Sequence, residues 1–213
     1  MSALAFLVHH RSVDLVGVTA LHALRSDMGF DQVVISLRRD DAYILEGKGV
    51  HADRDWADSC LAQAHWFNPN KHRHAAYEAA PGALAAAQSG AAWPRPWLGK
   101  LLASDRPDLA EGEQEGLKGW LAAETLEHDD EHRVTLAAWD RENGLAALPH
   151  GSWPSREARM LKAQLWTAVL RAEDLDHACA LVQRFALSES RQDGLLIHPH
   201  MEGWATVGAT AKV

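Results

Sequence analysis

The sequence predicts an α+β fold with antiparallel strands, and three observations carry that prediction. An amphipathic stretch beginning near Asp14 runs into a Gly-containing turn and then into β-branched segments. A second stretch, 173–186, draws a single apolar face and is flanked by segments that read as strands. Two further segments, Arg133–Trp139 and Gln164–Arg171, read as strands of a second α+β region.

The elements follow in order. Ala3–His9 is short and apolar, as a buried strand requires. Ser12 or Asp14 can cap the next helix, because a short side-chain oxygen accepts a free backbone N–H there. Leu15, Val18, Leu21, Leu24 and Met28 recur at helical spacing, and Gly29 stops the run. Gln32–Arg38 and Ala42–Glu46 read as two strands. Arg39, Asp40 and Asp41 form the polar turn between them, which makes a hairpin with an exposed edge. Asp53 caps a helix with the stripe Trp56, Cys60, Leu61 and Ala64, and Asp55 and Asp58 suit its first turns. Pro69 ends regular structure before a last strand toward Tyr77. Residues 1–80 thus read β-α-β-β-α-β, a ferredoxin-like module.

Residues 81–131 change character. An Ala/Pro-rich segment with Trp93 and Trp97 suggests a linker or a wrap over a neighbour. An acidic segment, Asp105–Glu131, follows; it reads as helical, with Leu117, Trp120, Leu121 and Leu126 turned inward. The third region, 132–213, is again α+β: a strand Arg133–Trp139, a hairpin turn at Glu142-Asn143-Gly144, a short helix Arg156–Lys162, a strand Gln164–Arg171, the helix after Glu173, and closing strands Gly194–His198 and Trp204–Val207. Residue identity alone shows no internal repeat.

Composition narrows the function. With 213 residues and a formal charge of −8, the chain has room for a real core, and its acidic balance argues against nucleic-acid and anionic-membrane binding. No apolar run is long enough to span a bilayer, and the N-terminus lacks a basic leader, so the expected location is cytoplasmic. Cys60 and Cys179 fall on apolar helix faces and read as buried reduced thiols.

Thirteen histidines raise the question of a metal. No cofactor is expected, but a divalent ion fits the spacing of His72-x-His74 and His198-x-His200, where two imidazoles share one side of an extended segment. His128 and His132 would share a helix face, and His9-His10 adds a pair. The segment Trp66–His74 is the densest polar-aromatic cluster. Asn68, Asn70, Lys71 and Arg73 can bind an anion or a partner; equally, Asn68 and Pro69 can simply fix a turn. Of nine tryptophans, Trp56, Trp120, Trp139 and Trp166 sit on apolar faces and read as core, whereas Trp93, Trp97, Trp153 and Trp204 lie near Pro or Gly, where burial within the chain is the first reading and a subunit interface the second. No nucleophile motif, Walker loop or dinucleotide fingerprint is present, so no catalytic residue is assigned.

The first 80 residues resemble PurS, the small subunit of multi-subunit phosphoribosylformylglycinamidine synthase, an enzyme of purine biosynthesis. The resemblance runs through Asp14-Leu-Val-Gly17, Ala23-Leu24, Met28-Gly29-Phe30-Asp31, Arg38 or Arg39, Tyr43-Ile44-Leu45-Glu46, Cys60-Leu61 and Phe67-Asn68-Pro69-Asn70. Leu15 stands where that family has proline. The Lys48–Asp53 insertion and the basic run Lys71–His74 also depart from it, and the resemblance covers under half the chain. It implies a non-catalytic scaffold that self-associates and bridges glutaminase and synthetase subunits. The alternatives are a metal-binding protein or metal-dependent enzyme using the His-x-His segments, and a small-molecule-binding regulator.

Overall fold

The computed structural model describes residues 2–105, 126–142, 144–147, 158–188 and 194–212. Their strands are β1 (Ala3–His10), β2 (Val34–Gly47), β3 (His72–Ala79), β4 (Leu98–Ser104), β5 (Glu131–Asp140), β6 (Leu145–Ala147), β7 (Ala158–Arg171) and β8 (Glu202–Ala211). The helices are α1 (Leu15–Ser26), α2 (Arg54–Gln63), α3 (Ala83–Ser89) and α4 (Leu175–Ala186). The strands form one sheet in the order β4-β3-β1-β2-β7-β5-β8, and every pairing in it is antiparallel. The α+β expectation holds.

The expected hairpin at Arg39–Asp41 does not form. Val34–Gly47 is a single strand of 14 residues. Its charged centre is tolerated because Asp40 is answered by Arg38 and His9, so the chain need not turn out to water. β2 is also not an edge. It lies between β1 and β7 and pairs with β7 at thirteen positions, from Val34↔Leu170 to Gly47↔Ala158. The sheet's edges are β4 and β8.

One face of the sheet carries Ala3, Ala5, Leu7, Ile44, Tyr77, Leu161 and Leu165, covered by α3 and by Trp93 and Trp97. Those two tryptophans are core residues, 3% and 1% exposed, with ring centroids 5.2 Å apart. The segment expected to be a linker or a wrap over a neighbour supplies α3, two core indoles and edge strand β4. The opposite face holds two clusters. α2 covers Leu4, Phe6, Tyr43 and Leu45, while α1 and α4 cover Leu37, Val134, Leu136, Trp166 and Leu170. Trp139 and Trp166 are buried, as expected. Trp120, Trp153 and most of the acidic 105–131 segment, including Leu117 and Leu121, lie outside the described residues.

α1 packs through the face Gly17-Ala20-Leu24. Gly17, Ala20 and Leu24 are buried, whereas Leu15 and Val18, expected to be inward, are 73% and 53% exposed. The N-terminus is anchored by polar contacts instead: Asp14 caps Val16 N–H and accepts Arg39 at 3.0 and 3.2 Å. Three other sequence expectations fail. Residues 158–162 belong to β7, because paired neighbours β2 and β6 outweigh their helix propensity. Residues 194–198 contribute only an Ile197–Leu187 bridge. β5 does not turn back after Glu142; β6 resumes pairing on β7 in line with β5, after a bulge closed by Gly144 N–H to Asp140 C=O.

The fold repeats itself. β1, β2, α2 and β3 correspond to β5, β7, α4 and β8. In each set the first strand lies between the other two and antiparallel to both. The shift along the chain that carries Arg11 onto Arg141 also carries Pro69 onto Pro199 and His72 onto Glu202, and the hydrogen bonds follow. Arg11 donates its backbone N–H to Lys71 and its guanidinium to the carbonyls of Pro69 and His72. Arg141 donates its N–H to Met201 and its guanidinium to the carbonyls of Pro199 and Glu202. Backbone N–H groups of Lys71 and His72 close on Asn68, as those of Met201 and Glu202 close on His198. The side chain four residues on accepts the turn's first N–H in both copies, His72 for Asn68 and Glu202 for His198. The helices repeat too: Asp53 and Asp174 are N-caps, each followed by an aspartate in the first turn. The two copies meet at β2–β7, with the pair Asp41↔Gln164 on the approximate two-fold axis.

Arg141 thus serves as a clamp on its turn. Arg141→Ala is expected to lower stability by about 1–2 kcal/mol and to accelerate exchange of the Met201 amide, read by urea unfolding and hydrogen exchange. An unchanged Met201 amide would remove the clamp from the account.

Candidate functional site

The cluster 66–74 lies where β3 begins beside the end of β1. Trp66 stacks on Tyr43 with centroids 4.0 Å apart and rings 15° from parallel, and it touches Phe6 at 5.4 Å. Asn68 is committed to the turn: its side-chain oxygen accepts Asn70 N–H at 2.9 Å. Arg11 holds the turn from below and bonds Asp105 at 2.8 Å. Asn70 and Lys71, with His10, Arg11 and Ser12, line an open pocket of about 470 Å³. Arg73 does not join them. It is opposite His9 in the β1–β3 register and shares the strand parity of Ala75 and Tyr77, which puts it on the other face. Of the four expected binding residues, the fold therefore brings together Asn70 and Lys71.

The two His-x-His segments are far apart. His72 and His74 are on β3, and His198 and His200 are in the turn before β8, five strand steps across the sheet, or about 24 Å at the usual spacing. They also lie at opposite ends of their strands' common direction. Among the described residues no group of three or more His, Cys, Asp or Glu side chains is placed to hold a metal ion. His72 instead meets His10 edge-on at 4.9 Å, and His74 meets Phe67 at 5.2 Å. His128 and His132 share no helix: His128 is in a turn, and His132 is buried on β5 with Nε2 3.1 Å from the Ala172 carbonyl.

Burial lowers the pKa of both His72 and His74. His10 and Lys71 push His72 the same way against Asp41, while Asp105 and Asp58 oppose the shift at His74. The folded state therefore favours the neutral imidazoles more than the unfolded chain does. Their contribution to stability is full above the ordinary histidine value of about 6.5 and is lost as pH falls through the folded values. Urea midpoints are expected to drop from pH 7.5 to pH 5, with a smaller drop in H72Q/H74Q. Equal drops in both proteins would refute this assignment.

A polar centre not anticipated from sequence lies on the other face. Asp40, with its side chain fully buried, accepts Arg38 Nε at 2.9 Å and lies 2.8 Å from His9 Nδ1. In the next row, Arg38 is opposite Thr167, whose hydroxyl is 3.0 Å from that of Thr135. A buried carboxylate beside a partly exposed imidazole fixes the ring's orientation. The available signal was the alternation Arg38-x-Asp40, which places two opposite charges on one side of a strand; reading those residues as a turn concealed it.

The cysteines are distinct. Burial raises the Cys60 thiol far above its usual range, and the side chain is fully buried, so it is inert. Cys179 is half-buried, with its pKa raised by burial and Asp176 against the opposing pull of Arg95. Among the described residues no helix is long and apolar enough to cross a membrane. Comparison of the chain with protein-family models, curated proteins and solved structures gave no match.

Proposed function

We propose that this chain is a non-catalytic bridging subunit similar to PurS, with two copies of the module joined in one polypeptide. Each copy is a ferredoxin-like unit short of one strand, and the neighbouring copy's long strand fills that place. The observation that carries the reading is the two-fold repetition about β2–β7, with the Arg11 and Arg141 guanidinium groups clamping corresponding carbonyls. A small subunit that works as a sheet-paired dimer is the kind of protein whose duplication and fusion gives this arrangement. Such a subunit would present two related surfaces to glutaminase and synthetase subunits.

The test is co-purification. Tagged full-length chain, expressed in its own cells, is expected to retain glutaminase and synthetase subunits, and deletion of its gene is expected to impose a purine requirement. Neither outcome being seen would overturn the PurS-like role.

A second reading, a small-molecule-binding regulator, draws on the pocket of His10, Arg11, Ser12, Asn70 and Lys71, whose cationic lining suits a small anion. Inorganic phosphate at millimolar concentration is expected to shift the His10 and His72 ring resonances, and K71E is expected to abolish the shift. Unshifted resonances would dismiss this reading.

A further inference from the structure

The two copies of the module differ at four corresponding positions on one face of the sheet. The shift that carries Arg11 onto Arg141 also carries His9 onto Trp139 and Arg73 onto Gly203, so the facing pair His9↔Arg73 becomes Trp139↔Gly203. Rotation about Asp41↔Gln164 carries Arg38 onto Leu161 and Asp40 onto Ala163: the pairs Arg38↔Thr167 and Asp40↔Leu165 become Leu161↔Ile44 and Ala163↔Ala42. In the second copy all four positions are apolar. Trp139, Leu161 and Ala163 are core, and the Trp139 indole fills the space that a Cβ on Gly203 would need. In the first copy the same positions carry a histidine, two arginines and an aspartate. The module therefore folds without charge there, and apolar replacement of a buried ion pair is often neutral or stabilising. The fold by itself does not call for the polar set.

The set is also incompletely paired. Asp40 is satisfied twice, by Arg38 Nε at 2.9 Å and at His9 Nδ1 at 2.8 Å. Arg38 Nη2 is buried and has no hydrogen-bond partner. Arg73 is half-buried, and among the described residues it makes no hydrogen bond or ion pair. A guanidinium drawn out of water without a counterion is costly, and a buried donor left unpaired calls for an acceptor. Arg38 and Arg73 share the face of Ile44 and Tyr77 and stand on either side of His9, on strands about 10 Å apart with β1 between them. Arg11, further along β1, adds nothing, since its guanidinium is spent on Pro69, His72 and Asp105.

We propose that Arg38 and Arg73, flanking the His9 ring that Asp40 holds, bind the oxyanion of a small molecule, a phosphate or carboxylate group. The planar fork of arginine matches the oxygens of either group. Asp40 neutralises one of the two guanidinium charges, and the other is left for the ligand. The site is separate from the pocket of Asn70 and Lys71, which Arg73 does not line, and it does not depend on the PurS-like reading.

Nuclear magnetic resonance titration of the isotope-labelled full-length chain tests the proposal, with inorganic phosphate and malonate as separate probes at constant ionic strength. A saturable shift of the His9 ring and Arg73 Nε resonances is expected with at least one probe. A response to phosphate alone assigns a phosphoryl group, to malonate alone a carboxylate, and to both an oxyanion site open to either. R73Q removes no existing bond; it is expected to weaken binding about tenfold with an unchanged melting temperature. R38K keeps a positive charge beside Asp40 and loses the fork, and it is also expected to weaken binding. K71E is expected to leave this response intact while abolishing that of His10 and His72. No saturable shift with either probe at tens of millimolar, binding that R73Q or R38K leaves unchanged, or a His9 response lost in K71E would each overturn the proposal.

Discussion

Asp40→Ala is expected to lower the stability of the protein by about 3–5 kcal/mol, as the removal of one member of a buried ion pair does. The carboxylate sits in the middle of the sheet with its side chain fully buried, and it answers both Arg38 and His9. Arg38 is 16% exposed at its side chain, so its charge cannot be fully rehydrated once the partner is gone. Asp40→Asn keeps the shape and one acceptor, and a smaller loss is expected. Urea unfolding of both variants at pH 7 provides the measurement. If Asp40→Ala costs less than about 1 kcal/mol, the ordinary range for an exposed pair, the Asp40 centre does not hold β2 straight.

Phe185→Ala is expected to cost about 3–5 kcal/mol, the usual effect of emptying a fully buried aromatic site. Phe185 projects from α4 and is fully buried, with Phe30 of the first copy 5.6 Å away in an edge-to-face arrangement. Its cluster also draws Ala20 and Leu24 from α1, so the cavity lies between elements of both copies. The loss should therefore appear throughout the molecule as a single lowered transition, because β2–β7 pairing and this cluster couple the halves. Two probes, tryptophan fluorescence and far-ultraviolet circular dichroism, should give coincident curves. Separate transitions would show that the copies unfold independently.

Local chemistry was legible wherever one residue settles it. Asp14, Asp53 and Asp174 cap the helices that follow them. Gly29, with φ of 77°, takes the conformation that glycine adopts most cheaply beyond a helix. Periodicity also marked α4, whose Ala178, Val182, Phe185 and Ala186 are all buried. It misled at α1, where the packed face is Gly17, Ala20 and Leu24, small residues that let the helix approach the sheet, so the larger apolar Leu15 and Val18 lie off it.

The candidate sites followed the same division. Asn68-Pro69 could be read as a turn or as part of a binding cluster. Hydrogen bonds from Arg11, distant in sequence, show how the turn is held, and only Asn70 and Lys71 remain at the pocket. Spacing put two imidazoles together within each His-x-His segment. Strand order then placed the segments five strands apart.

Sequence by itself determined the α+β class, the starts of α1, α2 and α4, and the burial of Trp139 and Trp166. These depend on side-chain chemistry and short-range spacing. Tertiary structure alone decided that Gln32–Glu46 is no hairpin and that the chain is built twice. Strand pairing is a contact between distant residues, and a charged pair such as Arg38-x-Asp40 ends a strand or continues it according to whether a partner such as His9 is waiting across the sheet. The repeat was hidden for the same reason: its copies share hydrogen bonds from Arg11 and Arg141 to backbone carbonyls, and carbonyls leave no mark in a sequence.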